Sequence, residues 1–121
     1  MRREPKVYLN DILEALQKIK NYTEGLNFNK FSEDSRTQDA TIRNFEIIGE
    51  ATKKIPQKIK RKYPQIPWRE MSSMRDKLIH EYFGVNRKVL WKTIKEDLPP
   101  LEPLIKKVLK EMDRGTKRII H

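Results

Sequence analysis

Three features of the sequence predict an all-helical fold. Apolar residues recur at three- and four-residue steps in several separate stretches, the period of one face of an α-helix. Glycine is scarce, at four residues. Runs of β-branched residues bounded by turn residues, the mark of strands, are absent. Hydrophobic and charged residues each make up 36% of the chain. That apolar share is low, but its periodic arrangement predicts a folded domain and not disorder. With 121 residues, one domain covering 1–121 is expected.

Pro5 suits the first turn of a helix. Leu9, Ile12, Leu13, Leu16 and Ile19 then follow at helical steps, so a first helix is expected over residues 5–23. The stretch 21–29, with Gly25, reads as its exit and a loop. Ser32 or Asp34 can cap a second helix running to about Lys54. Ala40, Ile42, Phe45, Ile47, Ile48, Ala51 and Ile55 form its apolar face, with Arg43, Asn44, Glu46 and Glu50 between them. Gly49 lies inside this helix, where glycine costs up to ~1 kcal/mol relative to alanine. Close approach of another helix is the expected reason. Pro56 ends or kinks the helix.

Residues 56–63 carry lysines, an arginine and glutamine around one Ile and one Tyr, and are expected to form a short surface helix. Residues 64–67 read as an extended connector, because residues before proline avoid the helical region. Pro67 starts a third long helix that is expected to end near Phe83, with Gly84 as its C-cap. Asn86 opens a further helix through Val89, Leu90, Trp91 and Ile94, which Pro99 and Pro100 interrupt. Leu101, Leu104, Ile105, Val108 and Leu109 form a last amphipathic helix to about Met112. Gly115, Lys117 and Arg118 look frayed.

The charge balance narrows the partners. Lys and Arg number 27 against 17 Asp and Glu, a formal net charge of +10. This favours an anionic partner, nucleic acid ahead of a membrane surface, although a merely solvated lysine-rich face has the same composition. There is no cysteine, so disulfides and thiolate metal sites are excluded. The N-terminal residues lack an apolar signal region, and no apolar run approaches ~18 residues. A cytoplasmic, soluble chain is expected.

The third helix carries the chemistry. Its stretch 75–82 reads Arg75-Asp-Lys-Leu-Ile-His80-Glu-Tyr82 and holds the one histidine that is not the last residue. At ~100° per residue, Met71, Leu78, Ile79 and Tyr82 all fall within about 60° of Arg75. Arg75 therefore stands inside the apolar arc, where a solvated charge is least expected. Asp76 and His80 sit one turn apart on the flank and can pair as i, i+4. Histidine titrates near neutrality and can take the proton of a ribose 2′-hydroxyl. A guanidinium can hold the scissile phosphate through two hydrogen bonds. In-line cleavage needs both an acid and a base, so one interior histidine per chain favours a twofold dimer that brings two such helices together.

On spacing alone, Arg-x4-His-x-Tyr also suits a structural reading: a surface or core histidine, a core tyrosine, and an Asp76–His80 pair that only supports the helix. The chain has no phosphate-cradling glycine loop, and its scattered carboxylates with one interior histidine give no recognisable metal cluster.

At these residues the chain resembles the HepT-like family of HEPN-domain ribonuclease toxins. Arg75, His80 and Tyr82 match the family's Arg-x4-His-x-Tyr form, and Asp76 stands where a polar residue commonly follows the arginine. The stretch 43–51, Arg43-Asn-Phe-Glu-Ile-Ile-Gly-Glu-Ala51, resembles the second-helix signature. Ile66-Pro-Trp-Arg-Glu70 resembles the lead-in to the motif helix, and the segment from Val89-Leu-Trp91 to Asp97-Leu-Pro99 is similar as well.

The resemblance implies an all-α, up-and-down, HEPN-like bundle of four to five helices, dimerising through the motif helix. It implies the toxin of a type VII HEPN/MNT toxin–antitoxin system. Such a toxin is a metal-independent endoribonuclease, without cofactor, cutting tRNA or mRNA by 2′-hydroxyl attack at a composite dimer-interface site. Arg75 and His80 would be catalytic and Asp76 supporting. Tyr82 would be the tyrosine on which a cognate minimal nucleotidyltransferase antitoxin places AMP. The competing expectation is a non-catalytic helical module that binds the nucleotidyltransferase or RNA.

Overall fold

A computed structural model describes residues 4–80 and 86–120, without the side chains of residues 75, 77–80 and 115–120. Among the described residues there is no strand. Helix α1 spans Pro5–Thr23, α2 Phe28–Glu33, α3 Ser35–Lys54, α4 Gln57–Lys62, α5 Trp68–His80, α6 Arg87–Lys92 and α7 Leu101–Ile120. A single π-helical turn, Thr93–Asp97, follows α6 without a break. The architecture is the expected all-α, HEPN-like bundle. Its four longer helices are α1, α3, α5 and α7, and the short helices fill the connections.

Helix α1 starts with Pro5 in its first turn and buries Leu9, Ile12, Ala15, Leu16 and Ile19 on one stripe. That stripe packs on α3 on one side and α7 on the other. Helix α3 in turn packs on α5. The core they share includes Phe45, Ile48, Met71, Ile105 and Val108, each fully buried. Trp68, Leu90 and Ile94 extend it towards the connections.

Local chemistry sets most boundaries. Asp34 caps α3, with Oδ1 accepting from the Thr37 amide at 3.0 Å and Oδ2 from the Thr37 hydroxyl at 2.6 Å. Of the two cap candidates, Ser32 instead lies within α2 and donates to the Asn29 carbonyl. Asn86 caps α6 by accepting from the amides of Lys88 and Val89. Pro103 sits in the first turn of α7, where its missing N–H has no intrahelical partner to lose.

Four expectations need correcting. The loop read over 21–29 ends early, because Asn27 caps α2 by accepting from the Lys30 amide at 2.8 Å. Phe31 of α2 is fully buried against Trp91, with ring centroids 4.9 Å apart. The connector 64–67 is a turn and not an extended strap: the Ile66 amide donates back to the Tyr63 carbonyl at 3.2 Å, and Ile66 and Tyr63 are both buried. Asn44, read as a polar face residue of α3, is buried and donates to the Ala40 carbonyl at 2.9 Å. The last helix does not stop at Met112, since α7 runs on to Ile120. No proline follows Met112, and a helical glycine at 115 costs only ~1 kcal/mol. The expected end of the motif helix near Phe83 and Gly84 lies outside the described residues. No helix among the described residues is long and apolar enough to cross a membrane.

Candidate functional site

Helix α5 is fixed at its start by a folded turn. The Trp68 indole N–H donates to the Tyr63 carbonyl at 3.0 Å, the Trp68 amide to the Ile66 carbonyl at 2.8 Å, and the Met71 amide to the Pro67 carbonyl at 3.0 Å. Trp68 and Met71 are buried. They stand seven and four positions before position 75, so the helix register puts position 75 on the stripe that faces the core. The Arg75 side chain itself lies outside the described residues.

The opposite stripe is exposed. Arg69, Ser73 and Asp76 are all exposed and follow at helical steps, and position 80 continues the same line. His80 closes the described part of α5, and its side chain is not among the described ones. The backbone therefore holds Arg75 and His80 on one helix, about 7.5 Å apart along the axis and about 140° apart around it. Tyr82, two residues further on, lies outside the described residues.

Asp76 is the one motif residue whose side chain is described. Its carboxylate faces Lys53 of α3, with Nζ–Oδ2 at 3.8 Å, and both side chains are about half exposed, at 44% and 50%. The sequence suggested His80 as its partner, which lies outside the described side chains; among the described residues its ion pair is with Lys53. Gly49 is buried on α3, the helix against which α5 packs.

Among the described residues, two depressions lie beside α5, and they differ in charge. A groove of about 610 Å³ lies on the α4 side, lined by Lys60, Arg61, Arg69 and Glu70, with Ile66, Trp68 and the prolines as its apolar wall. Burial holds the Lys60 ammonium below the usual lysine range. On the α7 side a cleft of about 550 Å³ carries Glu70, Glu96 and Asp97 over Met74, Leu101 and Leu104. The sequence reading did not single out Lys60, Arg61 or Arg69. The available signal was that residues 58–62 hold four basic side chains and no carboxylate.

Comparison with known proteins converges on one family. The family model described as "Ribonuclease HepT-like" matches residues 12–108. A chain of Thermococcus cleftensis named "Probable ribonuclease HepT" is 54% identical over 110 residues, covering 91% of this chain and 100% of that one. A Methanocaldococcus jannaschii chain whose name gives it as a candidate RNase is 41% identical, over 93% of both chains. Another from the same organism, named as a gamma-glutamylcyclotransferase and candidate RNase, is 44% identical, and this chain spans 52% of it. No solved structure matches. A match across nearly all of the helical bundle, with relatives well above 30% identity, means that this chain belongs to the HepT-like ribonuclease family.

Proposed function

We propose that this chain is a metal-independent endoribonuclease and the toxin of a HEPN/MNT toxin–antitoxin pair, with Arg75 and His80 as its catalytic residues. Membership of a ribonuclease family is the observation that carries this reading. The +10 charge and the placement of positions 75 and 80 on α5 support it.

In the proposed reaction an imidazole removes the proton of the 2′-hydroxyl. The 2′-oxygen attacks the adjacent phosphorus while the P–O5′ bond breaks. The products are a 2′,3′-cyclic phosphate and a 5′-hydroxyl, which takes up a proton from the general acid. The Arg75 guanidinium holds the phosphate and offsets the charge that develops on it. His80, the one interior histidine of each chain, cannot serve as base and acid at once. A homodimer formed through α5 supplies the second. Asp76 supports the site from the exposed flank. AMP placed on Tyr82 by a cognate nucleotidyltransferase adds a negative charge beside the cleft and repels the RNA phosphates.

The test is cleavage of tRNA in EDTA by the purified chain beside its His80→Ala variant. The wild type is expected to cut and the variant to leave the RNA intact, both with the same helical circular dichroism. Equal cutting by both removes His80 from the mechanism. A band shift with RNA left whole by the wild type points to a binding module without catalysis.

A further inference from the structure

Of the two depressions described beside α5, one is lined by cations and the other by carboxylates, so a polyanion favours the first. On the α7 side, Glu70, Glu96 and Asp97 rim an apolar cleft and repel phosphate. On the α4 side, Lys60, Arg61 and Arg69 line an open groove in which Glu70 is the single carboxylate. None of those three cations is ion-paired with another described residue. Helix α4 buries no residue fully, its Ile59 packing only partly against the core, and its Lys58 and Lys62 are exposed as well. Such a helix contributes little to the core, so its dense positive charge calls for another role.

The groove also has a direction. Arg69 lines it and stands on the same stripe of α5 as Asp76 and position 80, at i, i+7 and i+11. The stripe runs about 16 Å along the axis from position 69 to position 80. At the ~3.4 Å spacing of a stacked strand, that length spans roughly five nucleotides.

We propose that the groove between α4 and the first turn of α5, carrying Lys60, Arg61 and Arg69, is a second RNA-binding site that holds the phosphates flanking the one to be cut. The inference rests on the ribonuclease reading above and adds residues outside the Arg-x4-His motif. Lys60 is partly desolvated, so a phosphate beside it restores what burial takes from its charged form.

The test measures binding and not cleavage. A 2′-O-methyl RNA of about ten nucleotides lacks the attacking hydroxyl and stays intact, and its affinity is followed by fluorescence anisotropy across a salt series. Three phosphate contacts on a single strand contribute a log–log salt slope of about 2, or roughly 100-fold in affinity at 0.1 M salt. The Lys60→Gln/Arg61→Gln/Arg69→Gln variant is expected to lose that much. A Lys107→Gln/Lys110→Gln/Arg114→Gln variant on α7 removes the same net charge from other exposed positions. It is expected to bind nearly as the wild type does.

Equal losses in the two variants would mean that affinity follows net charge alone, and the groove would not be a site. A groove variant that binds as well as the wild type, while tRNA is still cut in EDTA, overturns this inference and leaves the ribonuclease reading standing. A wild type that neither binds nor cuts RNA removes both.

Discussion

Trp68→Phe probes how the start of α5 is held, and its cost can be worked from the contacts. The indole N–H donates to the Tyr63 carbonyl at 3.0 Å, and phenylalanine removes that donor. The carbonyl is not left orphaned, because the Ile66 amide also donates to it at 3.2 Å. The loss is therefore that of one ordinary hydrogen bond, ~0.5–1.5 kcal/mol, and not the larger penalty of a buried unsatisfied oxygen. Trp68 is only 8% exposed, so the smaller ring also leaves a void in packed surroundings. By comparison with other deletions of a few buried atoms, that adds ~1–2 kcal/mol. The expected sum is ~2–3 kcal/mol, a sizeable part of the ~5–15 kcal/mol that holds a typical domain.

Urea unfolding followed by helical circular dichroism measures it. The midpoint should fall while the slope m stays constant, since the surface exposed on unfolding is nearly the same. Trp91 remains as a fluorescent reporter in the variant. A midpoint unchanged from the parent would refute the idea that the indole fastens the turn that aims α5. A changed m would instead mean that the substitution loosened the native or unfolded state as a whole.

Two further outcomes are expected. Phe31→Ala, at a fully buried position packed against Trp91, should destabilise the chain by ~3–5 kcal/mol, read by thermal melting; a loss under ~1 kcal/mol would mean that α2 is not part of the core. Asp34 is held below the usual carboxylate range by the Thr37 hydroxyl, then by the Thr37 amide. Its folded form binds protons less readily than its unfolded form, so its contribution is present above the ordinary carboxylate range and is lost as the pH falls through the lowered value. Asp34→Asn keeps a capping acceptor without the titration, and melts across acid pH should show a shallower loss of stability than the parent; identical acid limbs would sink the assignment.

The parts of the fold visible in the sequence were those fixed by near neighbours. Pro5, Asp34, Asn86 and the apolar spacing of α1 act within a turn of the backbone they control. Helix α2 escaped because its six residues show no period, and its reason for existing is distant in the chain: Phe31 meets Trp91, and its carbonyl accepts from the Gln38 side chain at 2.7 Å. Asn44 was grouped with the polar residues between the apolar ones, since a pattern of residue types cannot show that its amide turns back onto the Ala40 carbonyl. Of the motif, the structure describes the backbone of positions 75 and 80 on α5 and the side chain of Asp76. The Lys53 partner of Asp76 was not legible, since Lys53 arrives from α3 through tertiary packing. Nor was the charged groove, which exists only because the turn at 63–67 folds α4 back beside the start of α5.

The Lys53–Asp76 contact bears on what Asp76 is free to do. At 3.8 Å, with both groups about half exposed, the pair gains ~1 kcal/mol at the dielectric of water, before the entropy of holding two side chains is subtracted. Such a pair neither locks α5 onto α3 nor commits the carboxylate. It does place a cation next to Asp76, at the middle of the exposed stripe between Arg69 and position 80. A lone aspartate there would oppose an arriving phosphate, whereas an aspartate beside Lys53 presents little net charge. A strand bound along the stripe as proposed would draw Lys53 to a phosphate and free the Asp76 carboxylate from it. The same weak pair thus accommodates the lysine contact seen in the structure and the histidine contact that the motif spacing allows.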